Sequence, residues 1–175
     1  MARNPVQRAT KTVIGVDPGS PLALAMVNAS GRWVAHASEE AVAKKNGTKW
    51  DNEPDRVYAI FKKWIAVSGG PQCVEVVIEK VNPMPGEGLL SSAKFIGSVW
   101  LVRGICASFG IKPYFVSPKV WKRMLHLSKD KKKSVAMAKY LFPDRNWRLQ
   151  YDKDHNYAEA ALLAYYRRQN LLGLL

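Results

Sequence analysis

A few acidic side chains stand where their surroundings do not call for them. Asp17 closes the apolar run TVIGV and precedes Pro18-Gly19. Glu79 closes CVEVVIE, a segment otherwise almost continuously apolar. Glu159 lies between Ala158 and Ala160, with Leu162, Leu163 and Tyr166 following at helical spacing. That spacing puts it on or near a buried helix stripe. Charged residues are almost never buried without a partner. Carboxylates that gather repel one another unless a cation sits between them. Hard divalent cations take oxygen ligands, and two such ions can activate a water and stabilise the leaving oxygen of a phosphodiester. Metal-assisted phosphodiester hydrolysis is therefore the chemistry this set could perform. His155 stands one helical turn before Glu159, on the same face. Asp154 is five residues before Glu159; in a regular helix it points about 140° away and comes near only at the cap. Both are candidates for a fourth ligand.

The rest of the charge runs the other way. Lys and Arg number 27 against 14 Asp and Glu, a net charge of +13, which points to a polyanionic partner: nucleic acid or an anionic membrane surface. A basic protein that gathers acids at one point can hold a phosphate backbone with its surface and a metal with its acids. No apolar run approaches the roughly 18 residues of a membrane span. The basic start MARNPVQRATK is not followed by an apolar stretch and cleavage site, so no signal peptide is expected and the location is read as cytoplasmic. Cys73 and Cys106, both in apolar surroundings, read as reduced core thiols. Without a Cys/His cluster, zinc-finger binding is disfavoured.

These side chains need a scaffold. Residues 1–11 carry Arg3, Arg8 and Lys11 and no acid, and read as a flexible basic arm; 12–175 read as one domain. TVIGVDPGS is a strand ending in a turn. LALAMV and RWVAHA follow, joined by Asn28-Ala29-Ser30-Gly31, which makes a three-stranded antiparallel meander. Asp55 to Val67 repeats apolar residues at helical spacing and ends at Gly69-Gly70-Pro71. CVEVVIE then reads as a central strand covered on both faces. A strand after a crossover helix pairs parallel to the first, in the right-handed sense. Asp17 and Glu79 thus end neighbouring parallel strands, where open α/β sheets place ligands.

After a Pro- and Gly-rich loop, a long helix is expected from Leu89 to Phe109. It has two apolar stripes: Leu89, Ala93, Ile96, Trp100 and Ala107, and Phe95, Val99, Val102 and Cys106. One sheet face can cover only one of them. IKPYFV is a fifth strand, and Ser117-Pro118 starts a helix. A Lys-rich segment and a terminal helix over Tyr157–Leu172 follow. The fold class is α/β, with a mixed five-stranded sheet flanked by helices. Trp33, Trp64 and Trp100 fit apolar stripes and read as core or interface. Trp50 and Trp121 lie in polar or basic settings and read as candidates for contact with DNA.

IGVDPG, then VIEKV on a later strand, then DHNYAEAALLA on the last helix resemble the RuvC-type Holliday junction resolvases of the RNase H-like superfamily. The resemblance covers about Thr12 to Arg168. It implies sheet order 3-2-1-4-5 and metal-dependent resolution of four-way DNA junctions by a homodimer cutting with paired symmetric nicks. It implies two Mg²⁺ ions per site, with Mn²⁺ as a substitute. Asp17 matches the family's strand-one aspartate and Glu79 its strand-four glutamate. Glu159 stands where the family usually has its last aspartate. The family's remaining acid falls three residues earlier, at Asn156; relatives with a wider gap put it at His155, with Asp154 a close rival. AEAA with DH before it looks more like the phage and prophage branch.

The resemblance also implies DNA contacts from Lys80, Asn82 and Met84 after strand four, and from Lys119, Lys122, Arg123, Lys131, Lys132 and Lys133 after strand five. Asn82 occupies the place where cellular relatives carry an aromatic that stacks at the junction centre. Subunit contact is expected from Ile96, Val99, Trp100 and Arg103. No helicase partner is legible. Three other readings compete: an RNase H-like nuclease acting on branched DNA or RNA:DNA hybrids, a non-catalytic DNA-binding relative, and an actin-like or sugar-kinase ATPase. The last needs two such domains, and 175 residues cannot hold them.

Overall fold

The computed structural model describes residues 11–19, 22–37, 54–80, 88–149 and 154–175. Its centre is β1 (Thr12–Asp17), buried along its whole length. β1 pairs antiparallel with β2 (Ala23–Val27), and β2 antiparallel with β3 (Trp33–Ala37). On its other side β1 pairs parallel with β4 (Val74–Glu79), and β4 parallel with β5 (Tyr114–Val116). The order β3-β2-β1-β4-β5 is the one expected. Asn28 makes the β2–β3 turn: its Oδ1 accepts from Ser30 Oγ at 2.8 Å and from the backbone N of Arg32 at 2.9 Å.

Side chains alternate across a strand, so β1 sends Ile14 and Val16 to one face and Val13, Gly15 and Asp17 to the other. The Ile14 face is covered by α1 (Pro54–Val67) and α2 (Leu89–Ser108), through Val57, Phe61 and Trp64 and through Val102, Ile105 and Cys106. The Val13 face is covered by α3 (Pro118–Met124), α4 (Lys131–Leu141) and α5 (His155–Leu171). The sheet is thus a middle layer with an apolar core on each side. Helix α5 lies directly on β1. A Cβ at Gly15 would collide with the backbone of Ala160 and Ala164. Glycine in the strand and alanines in the helix are what permit so close an approach.

The described chain differs from expectation in three places. First, the basic stretch after β5 holds two helices, α3 and α4. Residues 125–130 break them apart: His126 takes φ 53°, and Asp130 Oδ1 caps α4 by accepting from Lys132 N at 3.0 Å. Second, Lys11 is not part of a free arm; it is buried beside Glu75, its Nζ 3.1 Å from Glu75 Oε1. Residues 1–10 lie outside the described residues. Third, Trp121 does not face solvent; it is fully buried in the core. Trp33 and Trp64 are core residues, as expected.

Helix α2 turns one stripe inward and the other outward. Val102, Ile105 and Cys106 are buried, and Val99 packs partly against them. Leu89, Leu90, Ile96 and Trp100 are exposed, Trp100 by 60%. The Arg103 guanidinium lies 4.3 Å over the Trp100 ring and 5.7 Å over that of Phe115. Cys106 and Cys73 are free thiols, and burial pushes that of Cys106 up to about 12. No helix among the described residues is long and apolar enough to cross a membrane.

Candidate metal centre

Strand parity and register bring two acids together. Val16 of β1 pairs with Ile78 of β4, so Asp17 and Glu79 are the next pair along the two parallel strands. They point to the face that α5 covers. The Gly15 contact seats α5 at Ala160, which brings Glu159, one residue earlier, over the same strand ends. One carboxylate oxygen from each of Asp17, Glu79 and Glu159 lies within 4.8 Å of the others. The three residues are only 7%, 9% and 7% exposed.

Their protonation reflects that crowding. Asp17 is pushed up to about 8, by burial first and then by the charges of Glu79 and Glu159, against weaker pulls from the Gly19 N–H and Lys122. Glu79 is pushed up to about 7, by burial and by Glu159, against Lys122 and Trp121. Each acid is held from one side. Asp17 Oδ1 accepts from Gly19 N at 3.0 Å. Glu79 Oε1 accepts from Trp121 Nε1 at 3.4 Å. Glu159 Oε1 accepts from Lys122 Nζ at 2.7 Å and from Ser134 Oγ at 2.9 Å. The second oxygen of each accepts no hydrogen bond from a described residue. Three converging carboxylates form an all-oxygen donor set of the kind hard divalent cations take.

The other candidates fall around this centre. Helix α5 begins at His155 with Asp154 at its N-cap, and neither joins the three carboxylates. His155 Nε2 instead lies 2.9 Å from Lys131 Nζ, at the start of α4. Asn156 is half-buried on the same first turn. Lys122 reaches into the centre; Lys119 and Arg123 on α3, and Lys131, Lys132 and Lys133 on α4, are exposed. Lys80 is exposed just beyond Glu79. Asn82, Met84 and Trp50 lie outside the described residues.

Two residues at the centre were not anticipated as such. Trp121 is the indole donor to Glu79, and Ser134 the hydroxyl donor to Glu159. A signal for Ser134 was present: with Val135 and Ala138 it forms the buried stripe of α4, where a hydroxyl has no apolar reason to be.

No protein-family model matches the chain, and no curated protein matches it in sequence. Similarity is found in three dimensions. The structure described as T. thermophilus RuvC in complex with Holliday junction substrate superposes with TM-score 0.68 at 16% identity, over 94% of this chain and 97% of that one. The chain has the RuvC fold. A second structure, Thermus thermophilus RuvC, superposes with TM-score 0.61 at 19% identity, over 93% and 97% of the two chains. The RuvC likeness thus extends over nearly the whole chain.

Proposed function

We propose that the chain is a divalent-metal-dependent endonuclease that resolves four-way DNA junctions. The observation that carries this reading is the convergence of Asp17, Glu79 and Glu159, buried and short of compensating charge. Their donor set fits Mg²⁺, two ions per site, with Mn²⁺ as a substitute; His155 and Asp154 remain the candidates for a further ligand. Bound there, the metal would supply Lewis-acid activation of water and stabilisation of the leaving oxygen. The chain's own residues do the rest. The strand ends and α5 fix the carboxylates in place before substrate arrives. Lys122 meets Glu159, and Lys119, Arg123, Lys131, Lys132 and Lys133 are exposed on the same two helices, where they would attract a phosphate backbone. Lys80, Asn82 and Met84, which follow Glu79 in sequence, are assigned to DNA contact by the resemblance.

The complex named for T. thermophilus RuvC supports a four-way junction as substrate. A junction has near two-fold symmetry, and two symmetric nicks need two sites, which a C₂ homodimer supplies. The exposed stripe of α2, with Ile96, Trp100 and Arg103, is the surface we assign to it; Val99 flanks it. Ile96→Arg is expected to give a folded monomer by light scattering, and a dimer surviving that change would place the interface elsewhere. The location is the cytoplasm of a bacterial or phage-infected cell.

Asn82, standing where cellular relatives carry the junction-centre aromatic, favours one second reading: a nuclease of broader taste for branched DNA. A single assay separates the readings. A synthetic four-way junction, a linear duplex and an RNA:DNA hybrid are each incubated with Mg²⁺ and either wild type or Asp17→Asn. Paired cuts in the junction alone, lost in Asp17→Asn while binding persists, are expected. Cleavage of the hybrid in preference to the junction, or wild-type cutting by Asp17→Asn, overturns the reading.

A further inference from the structure

The three acids are held by different means. Asp17 is fixed by its own turn, through Gly19 N. Glu79 and Glu159 are held by side chains from the basic segment after β5: Trp121 and Lys122 on α3, and Ser134 on α4. Trp121 and Ser134 are fully buried, and both are neutral. A cation resting on a carboxylate opposes a second cation that approaches it. A neutral donor fixes the carboxylate's orientation without that opposition, as partners outside a metal's own ligands commonly do.

We propose that Trp121 and Ser134 are positioning residues, each tying one oxygen of Glu79 or Glu159 so that the other oxygen is presented to a divalent ion. The inference rests on the metal reading above. Local chemistry supports it. A serine inside a helix usually bonds a carbonyl of the preceding turn; the Ser134 hydroxyl reaches across to Glu159 on another helix. A buried indole N–H needs an acceptor, and that of Trp121 is given Glu79. Both residues alternate with the basic ones. Trp121 precedes Lys122 and Arg123, and Ser134 follows Lys131, Lys132 and Lys133. Helices α3 and α4 send Lys119, Arg123, Lys131, Lys132 and Lys133 outward, and Trp121, Lys122 and Ser134 inward, so the same two elements offered to DNA also set the geometry of the acids.

The test is Mn²⁺ binding by calorimetry on the full chain, without DNA, for wild type, Ser134→Ala, Ser134→Thr, Trp121→Phe and Val135→Ala. Val135 is the packing control: it is buried beside Ser134 and bonds no acid. Ser134→Ala is expected to weaken Mn²⁺ binding about 10-fold, and Ser134→Thr, which keeps the hydroxyl, to restore most of it. Trp121→Phe removes a longer contact, so a smaller loss is expected. Val135→Ala should lower the melting temperature and leave Mn²⁺ affinity unchanged. If wild type binds Mn²⁺ and Ser134→Ala and Trp121→Phe both bind it within about twofold of wild type, or if Val135→Ala loses as much affinity as they do, the positioning role is overturned while the metal reading stands. If wild type takes up no Mn²⁺, both are overturned.

Discussion

Strand β4 carries two glutamates on the same face, four residues apart, and treats them in opposite ways. Glu75 sits between two cations, Lys11 at 3.1 Å and Arg167 at 3.2 Å. Burial alone would raise its carboxyl, but the hydrogen bonds and charges of Lys11 and Arg167 outweigh that and hold it below the usual 4.5. Glu79 faces two further carboxylates, with a long hydrogen bond from Trp121 and the nearby charge of Lys122 as relief. One end of the strand is neutralised from within the fold. Among the described residues, the other end meets one lysine, Lys122, for three carboxylates. A sequence with 27 basic residues does not lack cations to place there. Accumulated like charge at that end costs stability in the free protein, and sites that keep such strain are characteristically functional.

The largest test of this contrast exchanges the two glutamates' chemistry. Glu79→Gln is expected to lower junction cleavage more than about 100-fold, the scale of a few kcal/mol of metal-derived stabilisation, while junction binding persists in gel shifts. Glu75→Gln should cut within about twofold of wild type. The reverse pattern breaks the comparison. Next comes stability, read by chemical denaturation. Glu75→Gln leaves Lys11 and Arg167 without their anion and should destabilise by about 1–3 kcal/mol. Glu79→Gln, in metal-free protein at pH 8, should stabilise, because it removes a repelled charge.

A subtler effect is the pH dependence of the metal-free fold. Asp17 and Glu79 have folded values near 8 and 7, above their ordinary 3.8 and 4.5. The folded state thus holds more protons than the unfolded chain between about pH 4 and 8, and their contribution to stability declines as pH rises through that window. Glu75 has the opposite sign: its contribution is present above 4.5 and is lost as pH falls. Asp17→Asn should remove much of the decline toward pH 8 and leave the acid-side loss intact. Saturating Mg²⁺ should also flatten the alkaline limb, since metal binding displaces protons. A wild-type curve that does not fall between pH 5 and 8 contradicts the crowding of the acids.

What could be read from the chain follows from which interactions are local. The strands around Asp17 and Glu79 show as apolar runs, and their parallel pairing follows from the crossover helix. Glu159 stands out because an acid among alanines and leucines contradicts its own stripe. Trp121 could not be placed in this way. Its neighbours Lys119, Lys122 and Arg123 are basic, and only tertiary packing turns α3 so that the indole is buried and Lys122 reaches Glu159. The break at residues 125–130 was also hidden, because it depends on the positive φ of His126, a conformation uncommon for any residue but glycine. Lys11 looked like part of a basic arm because Glu75, its partner, is far away in sequence.

The central claim, that one end of β4 is a cation site and the other is not, is tested most directly by anomalous diffraction from crystals of the wild type grown with Mn²⁺. Anomalous density is expected among Asp17, Glu79 and Glu159 and none at Glu75. Empty density between the three carboxylates under saturating Mn²⁺, with Lys122 still on Glu159, would contradict it.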